Sequence, residues 1–343
     1  MTGNLLRPVS IGGVGLKNNL ALAPMAGITN AAFRILAAGG GAGLVVTEMV
    51  SAESLKYGNK RSFKMLELLP GEHPAAIQVF GADPSSMALA AQAAERAGAD
   101  IVDINAGCPV KKVLRSGAGA ALMKTPLLLA DIVSRMVKSV KVPVTVKFRI
   151  GLADGENLGP LLARVCEEAG AAAITLHGRP ASQFHTGPVD LEAMAETAAA
   201  VKIPVFGNGG VENAAGARAV LEAGCSGVAV GRAAVFNPAV FAEIAAGLSG
   251  DKAEPVTSSA RMKLFLRFLE LNAGIYGEEH GLARARKLVG YWLKGVPGAS
   301  GARGAFMRLK TLKEAEALLI QYIEQPGCPR PQSGFRAGPW PAA

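Results

Sequence analysis

The sequence predicts an α/β fold: a (β/α)₈ TIM barrel followed by a small all-helical C-terminal domain. Three observations carry that expectation. Short, nearly continuous apolar runs alternate with alanine-rich amphipathic runs through residues 1–248. Strands buried on both faces read this way, and helices between them imply a parallel sheet. Eight such units fit into that length, which is what a closed barrel of this kind needs. Near Gly247 the rhythm stops, and a basic stretch of helical period takes over. A doubly wound sheet is the rival arrangement, but no GxGxxG follows the first strand.

The expected strands, in order, are "NLALAPMAG", "GLVVTEMV", "AAIQVFG", "DIVDINAG", "VPVTVKFRIG", "AAITLHGR", "IPVFGNGG" and "GVAVGRA". Helical runs such as "SSMALAAQAAERAG", "LLLADIVSRMVKSV", "LGPLLARVCEEAG" and "NAAGARAVLEAG" separate them. Residues 249–260, in "GLSGDKAEPVTSSA", read as a linker with Ser258 or Ser259 as the next helix's N-cap. Residues 261–323 alternate basic and apolar side chains with helical period, as in "ARMKLFLRFLELNAGIYG" and "GLARARKLVGYWLKG". The tail, residues 324–343, has five prolines and three glycines and is expected to be disordered.

Composition narrows the function classes. The four cysteines form no CxxC pair, and the four histidines show no zinc-ligand spacing. A disulfide framework and a metal site are therefore not expected, and a reducing cytoplasm fits. The first residues, "MTGNLLRPVS", lack the charged start and apolar core of a signal peptide. No apolar run is long enough to span a bilayer. The net charge of +9 is uneven: residues 1–250 carry 22 Lys/Arg against 19 Asp/Glu, whereas Arg261–Lys313 carries 11 against 3. The short helical segment thus holds most of the excess, which suits an anionic macromolecule or, equally, a merely solvated basic face.

In a barrel of this kind the chemistry sits at the C-terminal ends of the strands. Those ends carry Pro24, Met25 and Ala26; Glu48; Gln78; Asn105 and Cys108; Lys147 and Arg149; His177 and Arg179; Asn208, Gly209 and Gly210; and Gly231 with Arg232. Singly, His177 would read as a core histidine and Lys147 as a snorkelling surface lysine. Together, so many polar groups closing apolar strands are costly to bury without a ligand. The "GNGG" and "VGRA" loops follow strands seven and eight, where barrel enzymes often hold a phosphate. Their main-chain N–H groups and the Arg232 fork imply a phosphorylated ligand.

The motifs "LAPMAGITNAAFR", "IQVFGADP", "DINAGCPVKKV", "VPVTVKFRIG", "ITLHGR", "IPVFGNGGV" and "GVAVGRAA" resemble the bacterial tRNA-dihydrouridine synthases, in order, over about Leu20 to Phe241. "ARKLVGYWLKGVPGASGARGAFMRLK" is similar to that family's helical RNA-binding domain. Ala106 departs from the family's usual methionine, and Gly210 from a frequent aspartate. The resemblance implies FMN as cofactor, NADPH as reductant, tRNA as partner and a monomeric cytoplasmic enzyme that reduces uridine to dihydrouridine. It implies that Pro24, Met25, Ala26, Gln78, Lys147 and His177 meet the flavin ring. Asn208, Gly209, Gly210, Gly231 and Arg232 would hold its phosphate, and Asn105 and Arg149 would face the uracil. Cys108 would donate the proton to C5, as a thiol of pKa near ~8.5 permits at neutral pH. Lys111 and Lys112 would lie near the RNA backbone, with Arg284, Arg286, Lys287, Arg303 and Arg308 as helical-domain phosphate contacts. Tyr276, Tyr291 and Trp292 could stack on bases, but core packing is expected for at least two of them. An alternative is a flavin barrel acting on a free pyrimidine or another small enone, which leaves the basic helical domain unexplained.

Overall fold

A computed structural model describes residues 3–252 and 256–323, so the expected disordered tail, residues 324–343, lies outside the described residues. The chain opens with a hairpin that the rhythm of the strands did not announce. Its strands β1 (Val9–Ile11) and β2 (Val14–Leu16) pair antiparallel, Val9 opposite Leu16. Gly12 and Gly13 make the two-residue turn with φ of 54° and 94°, a conformation that glycine adopts without a Cβ penalty. The sequence signal was there: "SIGGVG" sets two glycines between apolar residues. The hairpin turns Ile11 and Leu16 inward, onto Ala21, Ala173 and Phe206, and plugs the N-terminal end of the barrel.

The barrel strands are β3 (Leu20–Leu22), β4 (Leu44–Val46), β5 (Val50–Ser51), β6 (Ala75–Phe80), β7 (Ile101–Asn105), β8 (Val144–Arg149), β9 (Ala173–His177), β10 (Val205–Asn208) and β11 (Gly227–Val230). All pair in parallel. β11 returns to β3, and β4 pairs with β6, so eight strands close the ring. β5 is a short continuation of β4 beside β6. Helices lie between successive strands, and side-chain caps start many of them. Asn30, Asp83, Asp190 and Asn213 each accept a hydrogen bond from the main-chain N–H three residues on. Each such cap is worth about 1 kcal/mol and ends the preceding loop at a defined place.

The last barrel helix, Val240–Ser249, stops at Gly250, whose φ of 87° is left-handed. The next helix, Ser258–Tyr276, is capped by Thr257, whose hydroxyl accepts from the Ala260 N–H. This corrects the expected cap at Ser258 or Ser259: both lie inside the helix, one and two residues past it. Four more helices follow: Glu278–Ala285, Val289–Trp292, Ala299–Phe306 and Leu312–Ile323. They share the apolar layer that lines the outside of the barrel strands. Phe265, Phe268, Trp292 and Phe306 are all nearly inaccessible and stack together. Phe268 also meets Phe33 of the first barrel helix edge to face, and Asn30 donates to Asn272. Trp292 is therefore core, Tyr291 packs on Phe236, and Tyr276 lies under the Arg284 guanidinium. Among the described residues, no helix is long and apolar enough to cross a membrane, no His/Cys/Asp/Glu cluster could hold a metal, and Cys108, Cys166 and Cys225 are free thiols.

Candidate active site

Strand register brings the polar strand ends into one ring at the C-terminal mouth. Gln78 stands opposite Asp103, Asn105 opposite Lys147, Arg149 opposite His177, and Asn208 opposite both His177 and Ala229. Below the mouth lies a hydrogen-bonded chain. Asp103 accepts from the Thr145 hydroxyl at 2.6 Å and from Gln78 Nε2 at 2.7 Å. Gln78 Oε1 accepts from Asn105 Nδ2 at 2.9 Å, and Asn105 Oδ1 accepts from the Cys108 N–H at 3.0 Å. Asp103, Gln78 and Asn105 are buried. Burial raises the Asp103 carboxyl to about 6, against the lowering effect of those two donors.

Lys147 sits beside this chain and donates to Asn208 Oδ1 at 2.9 Å, while Asn208 Nδ2 donates to the Ala229 carbonyl. Burial and then the Arg149 charge bring its ammonium down to about 7. Arg149 is itself buried, and burial takes it down to about 10. It joins two loops: Nε donates to the Gly107 carbonyl, and Nη1 donates to the carbonyls of Pro180 and Phe184. The loop after β9 is thereby tied to the Cys108 loop. Cys108 is half-buried, and burial pushes its thiol up, outweighing the lowering effect of Arg149 and Lys147. A thiol so placed stays protonated at neutral pH, which suits an acid rather than a nucleophile.

His177 is held neutral, first by burial and then by Arg149 and Lys147. Its buried Nε2 has no partner. The ring lies against Gly209, where a Cβ would come within 3.0 Å of Nε2. Gly209 and Gly210 have φ of 112° and 70°, so both the space and the backbone call for glycine. Arg179, which the sequence reading left out of the phosphate loop, is buried beside them, 3.3 Å from a Cβ built on Gly209. Its Nε donates to the Gly187 carbonyl, and Arg232 lies close enough to depress its proton affinity after burial does. The Arg179 guanidinium beside the glycine pair, with the Arg232 charge near it, fits an anionic group well, since like charges so placed favour a counter-charge between them. With the orphaned His177 nitrogen, and with the Pro24–Met25–Ala26 segment following β3, the residues fit a flavin carrying a phosphate.

The remaining candidates lie outside this ring. Lys111, Lys112, Arg284, Arg303 and Arg308 are exposed. Arg286 is half-buried and donates to the Leu309 carbonyl at 3.3 Å, which ties it to helix packing. Lys287 behaves unlike its neighbours. It reaches from the helical region to the barrel mouth, where its Nζ lies against Gly27 and near Glu48, whose carboxylate accepts from the Gly27 N–H. Asp103 escaped the sequence reading, and Glu48 and Arg179 were read there as strand ends without a role. For Asp103 the signal was an acid within the apolar strand "DIVDINAG", and for Arg179 the arginine that closes "ITLHGR".

The dihydrouridine synthase family model matches residues 21–325. The chain belongs to the dihydrouridine synthase family. Family membership carries a reaction class, the reduction of uridine in tRNA by a flavin-dependent oxidoreductase. Among curated relatives, tRNA-dihydrouridine synthase B of Pseudomonas syringae pv. tomato is 38% identical over 327 residues, 95% of this chain and 97% of the relative. The same-named protein of Pseudomonas aeruginosa is 40% identical over 321 residues, 92% of this chain and 96% of that one. A crystal structure of TcOYE with pHBA shares the barrel fold at a TM-score of 0.56 and 14% identity, over 74% of this chain and 95% of that chain.

Proposed function

We propose that this dihydrouridine synthase uses FMN and NADPH to reduce the C5–C6 double bond of particular uridines in tRNA, in the cytoplasm. The observation that carries the reading is the half-buried Cys108, hydrogen-bonded through its main chain to Asn105 in the same ring as Lys147 and His177, with burial pushing its thiol up toward the protonated form. FMN bound there and reduced by NADPH would supply the hydride. Hydride arrival at uracil C6 moves the double-bond electrons onto C5, as an enolate with the C4 carbonyl. The Cys108 S–H gives its proton to C5, and the resulting thiolate is stabilised by Arg149 and Lys147 before solvent reprotonates it. Hydride plus proton completes the C5–C6 addition. Gly209, Gly210, Arg179 and Arg232 would hold the phosphate, and Lys147 and Gln78 the polar edge of the ring. Asn105 keeps one N–H free of the relay for a uracil carbonyl.

A uridine stacked within folded RNA cannot reach such a mouth, so the base must turn out into it. The basic helical region, residues 261–323, would anchor the rest of the RNA. The test is to incubate the flavin-loaded protein with NADPH and unmodified tRNA and measure dihydrouridine by mass spectrometry. Dihydrouridine at defined positions is the expected result. Turnover of free uracil as fast as tRNA, or no dihydrouridine at all, would overturn the proposal.

A further inference from the structure

We infer that Asp103 is a positioning residue: as a hydrogen-bond acceptor it fixes, through the side-chain amides of Gln78 and Asn105, the loop that carries Cys108. The inference rests on the proposed role of that thiol and deepens it. The argument is one of direction. An ionised carboxylate only accepts, and a main-chain N–H only donates. Between those two ends stand two amides, each with one accepting and one donating side. Asp103 Oδ2 can receive only Gln78 Nε2, at 2.7 Å. Gln78 then has only Oε1 to offer Asn105, which must present Nδ2, at 2.9 Å. Asn105 is left with Oδ1 for the N–H groups of Cys108 at 3.0 Å and Gly107 at 3.3 Å.

Every donor thus points back toward Asp103, and one acceptor buried at 4% exposure orients everything up to the thiol's own residue. Bonds aligned in this way reinforce one another in a low-dielectric interior. Reversing either amide would set donor against donor at one of its links. The second partner of Asp103, the Thr145 hydroxyl, imposes no direction because it can donate or accept. The relay therefore needs an acceptor at position 103, not a charge, and it does not need Thr145.

Four variants in a Cys328→Ser background test this, with two readouts: the alkylation rate of Cys108 in RNA-free protein, and uridine reduction. Asp103→Leu removes the acceptor. Cys108 alkylation should rise severalfold and uridine reduction fall about 10²-fold, the cost of a misplaced reacting group. Asp103→Asn keeps an acceptor oxygen and should restore both to near wild type. Thr145→Val should leave both near wild type. If Asp103→Leu fails to fold, Gln78→Met cuts the relay one link nearer the thiol and should raise alkylation in the same way. Two outcomes overturn the inference. Loss in Asp103→Asn equal to that in Asp103→Leu would mean that Asp103 acts by its charge. Alkylation unchanged in both Asp103→Leu and Gln78→Met would mean that the relay does not set the thiol loop. Alkylation is read without RNA, so it decides this point even if wild-type protein reduces no tRNA.

Discussion

The barrel mouth and the helical region both carry positive charge, but they hold it in opposite ways. At the mouth Lys147, Arg149 and Arg179 are all shifted by burial toward their neutral forms, and main-chain carbonyls or Asn208 fix their directions. In the helical region Arg284, Arg303 and Arg308 stand exposed. Fixed, desolvated charge is strong and specific, because no reorganisation is needed when a charged ligand arrives. Exposed charge is weak per contact and screened by salt, and it suits a long polyanion met at many points. Under the proposed function, one chain would therefore separate chemistry from grip.

The sharpest break in that comparison is at Cys108. Cys108→Ala removes the proposed acid without touching the proposed phosphate cradle. Loss of general acid catalysis typically costs ~10²–10⁴-fold, so uridine reduction should fall by that order. Flavin content and its reduction by NADPH should stay near wild type, as stopped-flow absorbance would show. Loss of flavin instead would assign Cys108 to the architecture of the mouth.

A smaller effect tests the cradle. If Arg232 holds the flavin phosphate as proposed, Arg232→Ala removes a charged hydrogen bond worth roughly 1.5–3 kcal/mol, so flavin should be retained more weakly, measured by equilibrium dialysis. Arg179→Ala should do the same if the two guanidiniums share one anion. The double variant should then lose less than the two single losses combined, because neighbours that share a partner couple. Additive losses would place the two arginines on separate groups.

Much of this was legible beforehand, for physical reasons that differ by region. Parallel strands buried on both faces leave near-continuous apolar runs, so the eight barrel strands stood out, and their polar ends marked the mouth. The glycine pair Gly209–Gly210 was readable because a left-handed backbone excludes most other residues. Asp103 and Arg179 were not singled out, because a sequence does not show which polar atoms meet across strands. Nor did it show that Arg149 joins two loops, that Arg286 is tied to Leu309, or that Lys287 reaches the mouth. The basic segment reads as one uniform feature, yet folding sorts its arginines into exposed and engaged. The cap shifted by one residue because Thr257, Ser258 and Ser259 are all competent caps, and only the helix's packing chooses among them.

That sorting refines the test of the grip. Arg284, Arg303 and Arg308 are the exposed set, so a triple Arg→Glu variant at those positions should weaken tRNA binding while flavin content stays unchanged. Each lost phosphate contact also flattens the dependence of log affinity on log salt, by about 0.7 for single strands. Titrations at several salt concentrations would show a shallower slope in the variant. Equal affinities and equal slopes would leave the excess charge as a solvated face.

The smallest effect asks whether chemistry and grip are separate bodies at all. Thr257→Ala removes the cap of the helix Ser258–Tyr276, at a cost of about 1 kcal/mol. That helix faces both ways. Phe268 and Asn272 meet Phe33 and Asn30 of the barrel, while Phe265 packs on Trp292 and Phe306. With a common apolar layer, loosening the helix should lower a single unfolding transition, and flavin fluorescence and circular dichroism should report the same midpoint. If the helical region instead melts on its own, circular dichroism should show an early phase that flavin release does not follow. The shared Phe33–Phe268 and Asn30–Asn272 contacts favour the single transition, because they tie the helix to the first barrel helix, so that loosening one loosens the other.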